Sequence, residues 1–195
     1  MGSPVLSFLV NRASLALGRL SGPSPQARLP RALRALYQLK NGFRALDAAL
    51  LVLPAETTGS IPGLAAWNAP TGWRRWFDLD ERLTFFAMDA VLRQFAVDAE
   101  GAVVRFDPVS EGLVPFAADL DAWAEQVIAG GAAQPLARAW QVMHRPLLTE
   151  ERLMPSALGS GLTPLHLSDA MELLGERIGA QQEISREVEV FDVAW

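Results

Sequence analysis

The densest concentration of groups able to do chemistry lies between residues 73 and 81. Trp73, Arg74, Arg75 and Trp76 are followed by Asp78, Asp80 and Glu81, which puts two indoles, two guanidiniums and three carboxylates in one short stretch. Acids this close would offer a hydrolase one proton donor and one ionised partner. They would also offer hard oxygen ligands, although a calcium loop needs a longer oxygen series with a glycine at a set place. A solvated acidic loop does neither. Trp and Arg mixed with acids is also the composition of protein–protein hot spots, while large aromatics equally suit the filling of a core. The sequence leaves core and surface open for Trp73 and Trp76. All seven residues are taken as a partner-binding set rather than a catalytic one.

Elsewhere the chain is poor in reactive groups. It has no Cys, which excludes disulfide scaffolds, zinc–thiolate sites and thiol catalysis. Its two His are His144, at a helix end before Arg145–Pro146, and His166, in a loop after Pro164. Neither has a carboxylate at metal-ligand spacing, so both read as structural. There is no Gly-x-Ser-x-Gly elbow, Walker loop, dinucleotide fingerprint or His-Glu-x-x-His. Gly159–Ser160–Gly161 runs into Leu162 rather than into a phosphate cradle, and reads as a turn. No enzyme activity, catalytic residue, metal or cofactor is expected.

Charge is unevenly placed. Residues 1–46 carry six Arg and Lys40 with no acid, and the remainder carries ten Arg against twenty-two acids. A basic start suits a transit peptide or an anionic membrane contact; it equally suits a cationic helical layer laid on an acidic body. Asn11 and Arg12 interrupt the apolar stretch Pro4–Leu20, and no apolar run reaches membrane-spanning length. A soluble cytoplasmic protein without nucleic-acid or membrane contact is expected, because an acidic body repels phosphates.

The elements that must position these groups follow from periodicity and punctuation. Val5, Leu6, Leu9, Val10, Leu17 and Leu20 predict an amphipathic helix up to the Ser21–Pro25 linker. A second helix starts at Pro30 and leaves through Asn41–Gly42. Ala48–Leu53 fits a buried helix end or a strand equally, and Leu64–Trp67 a short helix. Leu83–Met88, Phe95–Val97, Val103–Phe106 and Leu113–Phe116 are β-prone runs separated by Asp- and Gly-bearing turns, the pattern of an antiparallel meander. Helices are expected from Asp119 to Gly130–Gly131, over Pro135–His144, and from Ser168 (a plain N-cap) to Gly179. A Met154–Leu158 run and a last strand at Val188–Val193 complete the tail.

The order of these pieces resembles the SUKH superfamily. A helix opening Leu29–Pro30, carrying Leu36–Tyr37 and ending in Asn41–Gly42 looks like the family's start. Phe85–Asp89, Phe95–Asp98, Gly101 and Val103–Asp107 resemble its central meander, and the acidic helix Asp119–Ile128 sits where its closing helix belongs. The resemblance covers about residues 29–130. Met88–Gln94 departs from it, since the family more often has Gly between those strands. What the resemblance implies is an α+β fold: an antiparallel sheet of four to six strands packed with helices. To this the chain adds an extra N-terminal helix and linker (1–25) before a single SUKH-like domain with a C-terminal extension (26–195). It also implies work by docking: bacterial members resemble immunity proteins that neutralise a toxin, and fungal ones act in cell-wall regulation. The family offers no shared catalytic residues; Asn41, Gly42, Asp98, Gly101 and Asp107 read as fold-determining turn residues. The partner implied is another protein, such as a basic toxin domain. Two rival readings stand: a subunit of a larger assembly docking through helix 1–20, and a hydrolase using Asp78, Asp80 and Glu81.

Overall fold

Apolar, β-prone runs separated by short turns pair with their nearest neighbours, since short connections close loops at least entropic cost. In the computed structural model this gives a six-stranded antiparallel meander in chain order. Residues 3–19, 29–133, 137–138, 141, 147, 151–155, 162–177 and 180 are described. The strands are β1 (Phe43–Ala45), β2 (Leu50–Val52), β3 (Thr84–Asp89), β4 (Gln94–Val97), β5 (Val103–Asp107) and β6 (Gly112–Ala117). Register is set at Leu51↔Met88, Phe95↔Arg105 and Phe106↔Leu113. The fold is α+β, with helices α1 (Pro4–Asn11), α2 (Arg34–Leu39), α3 (Leu64–Trp67), α4 (Leu120–Gln126) and α5 (167–177). A second sheet pairs β7 (Glu151–Pro155) with β8 (Leu162–His166).

Successive residues of a strand face opposite ways, so both faces of the sheet are apolar and both are covered. Phe85 and Phe106 point to one side and meet Trp73, with ring centroids 5.1 and 6.1 Å away. Phe86 and Phe95 point to the other and meet Trp123 of α4 at 5.0 and 6.0 Å. Each buried aromatic side chain contributes about 1.5–3 kcal/mol, which makes the two aromatic layers the main cohesion of the body. Met154, Leu167, Ala170, Met171 and Leu174 from the tail join the same core.

Turn chemistry explains the joints. Asp98 Oδ1 accepts from the amides of Gly101 (2.7 Å) and Ala102 (2.8 Å), and Gly101 takes φ +96°. Gly42 takes φ +69°, where a Cβ would lie 2.7 Å from the Pro54 backbone. Asn41 ties this corner together, donating to Arg19 O at 2.7 Å and accepting from Ala55 N at 2.8 Å. At Met88–Gln94 the turn is built on Asp89 instead of Gly. Its carboxylate accepts from Val91 N and Arg93 N, both at 3.0 Å, and from Arg93 Nε at 2.6 Å. Leu92 occupies the left-handed position (φ 69°) because its side chain is buried in the core.

Several expectations need correction. The first helix ends at Asn11, not Leu20, because the sheet edge takes over the chain beyond it. Ser14 N donates to Arg44 O (2.8 Å), Leu17 N to Gly42 O and Gly18 N to Asn41 O (both 2.9 Å), so residues 14–18 close the outer edge of β1. Lys40 locks this layer, its Nζ capping Val10 O at 2.7 Å and Ser14 O at 2.9 Å, where a cation suits the end of a helix. β1 and β8 were not expected as strands, and of the ambiguous run Ala48–Leu53, Leu50–Val52 is strand. Helix α5 starts at Leu167, one residue before Ser168, and His166 Nδ1 accepts from Ser168 N at 3.3 Å. The loop at Gly159–Gly161 and the strand at Val188–Val193 lie outside the described residues, as does most of Pro135–His144. Among the described residues no helix is long and apolar enough to cross a membrane.

Candidate functional site

Residues 73–81 form a tight 3-10 turn over Trp73–Trp76 and then an irregular loop into β3. A turn of this pitch sends consecutive side chains about a third of a circle apart, which splits the expected binding set in two.

One half is core. Trp73 is 4 % exposed, donates Nε1–H to Trp67 O at 2.9 Å and lies among Trp67, Phe77, Phe85 and Phe106. Arg74 is 9 % exposed, and its guanidinium donates to Leu83 O (3.0 Å) and Asp80 O (2.7 Å) over the Phe85 ring. Removing the guanidinium would leave the Leu83 and Asp80 carbonyls without this donor; Arg74 is the clamp of the 80–83 loop. Of the expected partner-binding set, these two side chains are thus buried within the chain.

The other half is a docking point within the chain. Arg75 stacks on the Trp76 ring at 4.9 Å, and both donate to Glu172 Oε2 of α5 at 3.0 Å. Trp76 lies against Gly175, where an added Cβ would be 2.2 Å from its Cδ1. Helix α5 therefore seats on Trp76, and only a bare backbone fits there.

The carboxylates remain outside. Asp78, Asp80 and Glu81 are exposed. Asp80 is held by Arg82, whose NH2 lies 2.6 Å from Oδ2 and whose backbone N donates to Oδ1 at 2.9 Å. These hydrogen bonds pull its carboxyl down to about 2. An acid so strong stays ionised at neutral pH and cannot deliver a proton, which disfavours Asp80 as the general acid of a hydrolase. Among the described residues no three His, Asp or Glu gather as a metal-binding group. Among the described residues the most buried carboxyl belongs to Asp89; burial pushes it up, while Arg93 and two amides pull it back.

Sequence reading missed two features. The first is the open edge of the sheet. Residues 14–18 close β1, but β6 has no strand on its outer side among the described residues. Its residues Gly112–Ala117 carry no charge, and Leu113 and Val114 are each 43 % exposed, with Val109 beside them at 54 %. These are three of the six exposed large hydrophobic side chains among the described residues. Pro115 was the available signal, since proline within a strand marks an edge. The second is a cleft at the opposite end of the strands, assembled from short segments far apart in sequence, which no local motif could announce.

No protein-family model, curated protein or solved structure matches this chain.

Proposed function

We propose that the chain is a SUKH-type, non-catalytic protein-binding domain that works as an immunity protein, neutralising a toxin by docking on it. The observation that carries this reading is the β6 edge. Leu113 and Val114 stand exposed on an uncharged edge strand, whose open stretch ends at Pro115 and the register shift beside it. Here the chain covers β1 and leaves β6 uncovered among the described residues. Such an edge supplies backbone hydrogen bonds and apolar contact to a partner strand. The acidic remainder of the chain, −12 over residues 47–195, favours a basic partner and a salt-sensitive on-rate.

The assembly reading loses its main support, the free N-terminal helix. Leu6, Leu9 and Val10 are core residues, and the segment after α1 closes the sheet. Deleting residues 1–24 would therefore damage the fold instead of testing a docking arm.

The test is to produce the proteins encoded by neighbouring genes one at a time and, for any that arrests growth, to compare growth with and without the chain. Restored growth and a one-to-one complex are expected, and Leu113→Glu combined with Val114→Glu should abolish both. A chain that neither restores growth nor enters a complex overturns the proposal.

A further inference from the structure

The cleft opens between the start of α2, the loop at residues 54–57 and α3. Its first half, about 580 Å³, is walled by Leu29, Pro30, Ala55, Leu64, Ala65 and Ala66, with Glu56 at the mouth. Pro30 and Thr84 are shared with a second half of about 800 Å³, which runs on to the β4–β5 turn and the start of α4. That second half holds Asp98, Glu100, Asp119 and Asp121, faced by Arg31 and Arg82. The two pockets adjoin at Pro30 and Thr84, the first lined mainly by apolar residues and the second carrying most of the acids.

The charges do not cancel. Among the described residues, the two linings hold five carboxylates and two guanidiniums. Arg82 holds Asp80 through Nε and NH2 and also attracts Glu100. Asp98 and Asp119 each hold their own turns through Oδ1, Asp119 accepting from Ala122 N at 2.9 Å. Glu56, Glu100 and Asp121 are exposed side chains directed at solvent. A groove of this size is in the range of sites that take small molecules or several side chains. Its negative charge repels phosphates and carboxylates, and its acids are spread over a turn, a helix start and a loop, so they make no compact cation cage. Its complement is an extended stretch with cationic heads at one end and an aliphatic anchor at the other.

We propose that this cleft receives a basic segment of the partner protein, Arg or Lys side chains lying along Glu100, Asp119 and Asp121 and an aliphatic residue seated against Pro30, Ala65 and Ala66. The proposal rests on the protein-binding reading and adds the chemistry of what is bound. The β6 edge gives strand pairing without selecting for charge; the groove supplies the selection, because a neutral or acidic segment there leaves carboxylates facing apolar or like-charged atoms.

The test uses the purified full chain and two fluorescent peptides of equal length, one with Leu followed by Gly-spaced Arg and one with every Arg replaced by Gln. The Arg peptide is expected to bind at least about tenfold tighter, the order expected of a few partly screened charge pairs. Its affinity should fall between about 50 and about 300 mM salt. Glu100→Gln with Asp121→Asn spares both turn caps and should weaken it about tenfold. Asp169→Asn with Glu176→Gln, on the exposed side of α5, should leave it unchanged. Equal losses from the two pairs, or no preference between the peptides, would overturn the proposal. Selective Arg-peptide binding by a chain that neutralises no toxin would sink the immunity reading and leave the groove assignment standing. Neutralisation that survives Glu100→Gln with Asp121→Asn, with no peptide binding, would do the reverse.

Discussion

Replacing Asp89 tests whether the β3–β4 turn is held by the buried Asp89 carboxyl and its Arg93 partner. The side chain is fully buried, and Asp89→Ala removes the acceptor for two amides and one guanidinium at once. The two amide bonds are worth about 1 kcal/mol each net. Arg93 is a quarter exposed, so its charge-assisted bond is set at about 1.5 kcal/mol, below the range for a fully buried pair. Against this stands the burial cost of the carboxylate, which the variant no longer bears. A net loss of about 2–3 kcal/mol is expected, which for a urea m-value of about 2 kcal/mol/M moves the midpoint down by about 1–1.5 M. Arg93→Ala should cost a similar amount, because it leaves the carboxylate buried with amides alone. The double variant should cost less than the sum by about 1.5 kcal/mol. Urea unfolding of the four proteins at neutral pH measures all of this. A midpoint shift below about 0.3 M for Asp89→Ala, or additive single variants, would refute the claim that this pair holds the turn.

Three further outcomes follow from the same geometry. Asp89 titrates higher in the folded chain than unfolded, chiefly through burial, so folding takes up a proton between those two values. This titration alone lowers stability as pH rises from the ordinary carboxyl value through the raised one, apart from the hydrogen bonds that Asp89 keeps at neutral pH. Asp80, pulled down to about 2, works the opposite way, and its contribution is lost as pH falls from the ordinary value through about 2. Urea midpoints measured across acid pH should therefore lose the falling limb in Asp89→Asn and the rising limb in Asp80→Asn. Gly42→Ala meets both a left-handed backbone and the Pro54 main chain at 2.7 Å, and should cost about 3 kcal/mol or more in thermal unfolding. Gly175→Leu should lift α5 off Trp76, so amide exchange speeds up in 167–177 while β3–β5 keep their protection; unchanged exchange in α5 would show that it does not seat there.

Much of the architecture is legible in the sequence because its causes are local. The turn Asp98–Gly101 needs only a short-range acceptor and a residue that tolerates positive φ, and both stand in the right places. The apolar runs from Leu83 to Phe116 pair with their immediate neighbours, so their order already implies a meander. Leu64–Trp67 and the Asp119 N-cap are likewise set within a few residues. What stayed open depended on partners far along the chain. The helix at the N-terminus stops early because the edge of β1, some thirty residues on, offers Arg44 O, Gly42 O and Asn41 O to its amides. The segment Trp73–Glu81 has the composition of a surface and the composition of a core. Only the aromatic cluster on one side and Glu172 with Gly175 on the other decide which face each residue takes. The open β6 edge and the acidic groove exist only once the sheet is closed at one end and turned at the other. Periodicity, caps and turns thus determine the elements and their order, because they act through the nearest few residues. Which surfaces remain for a partner is decided by long-range packing.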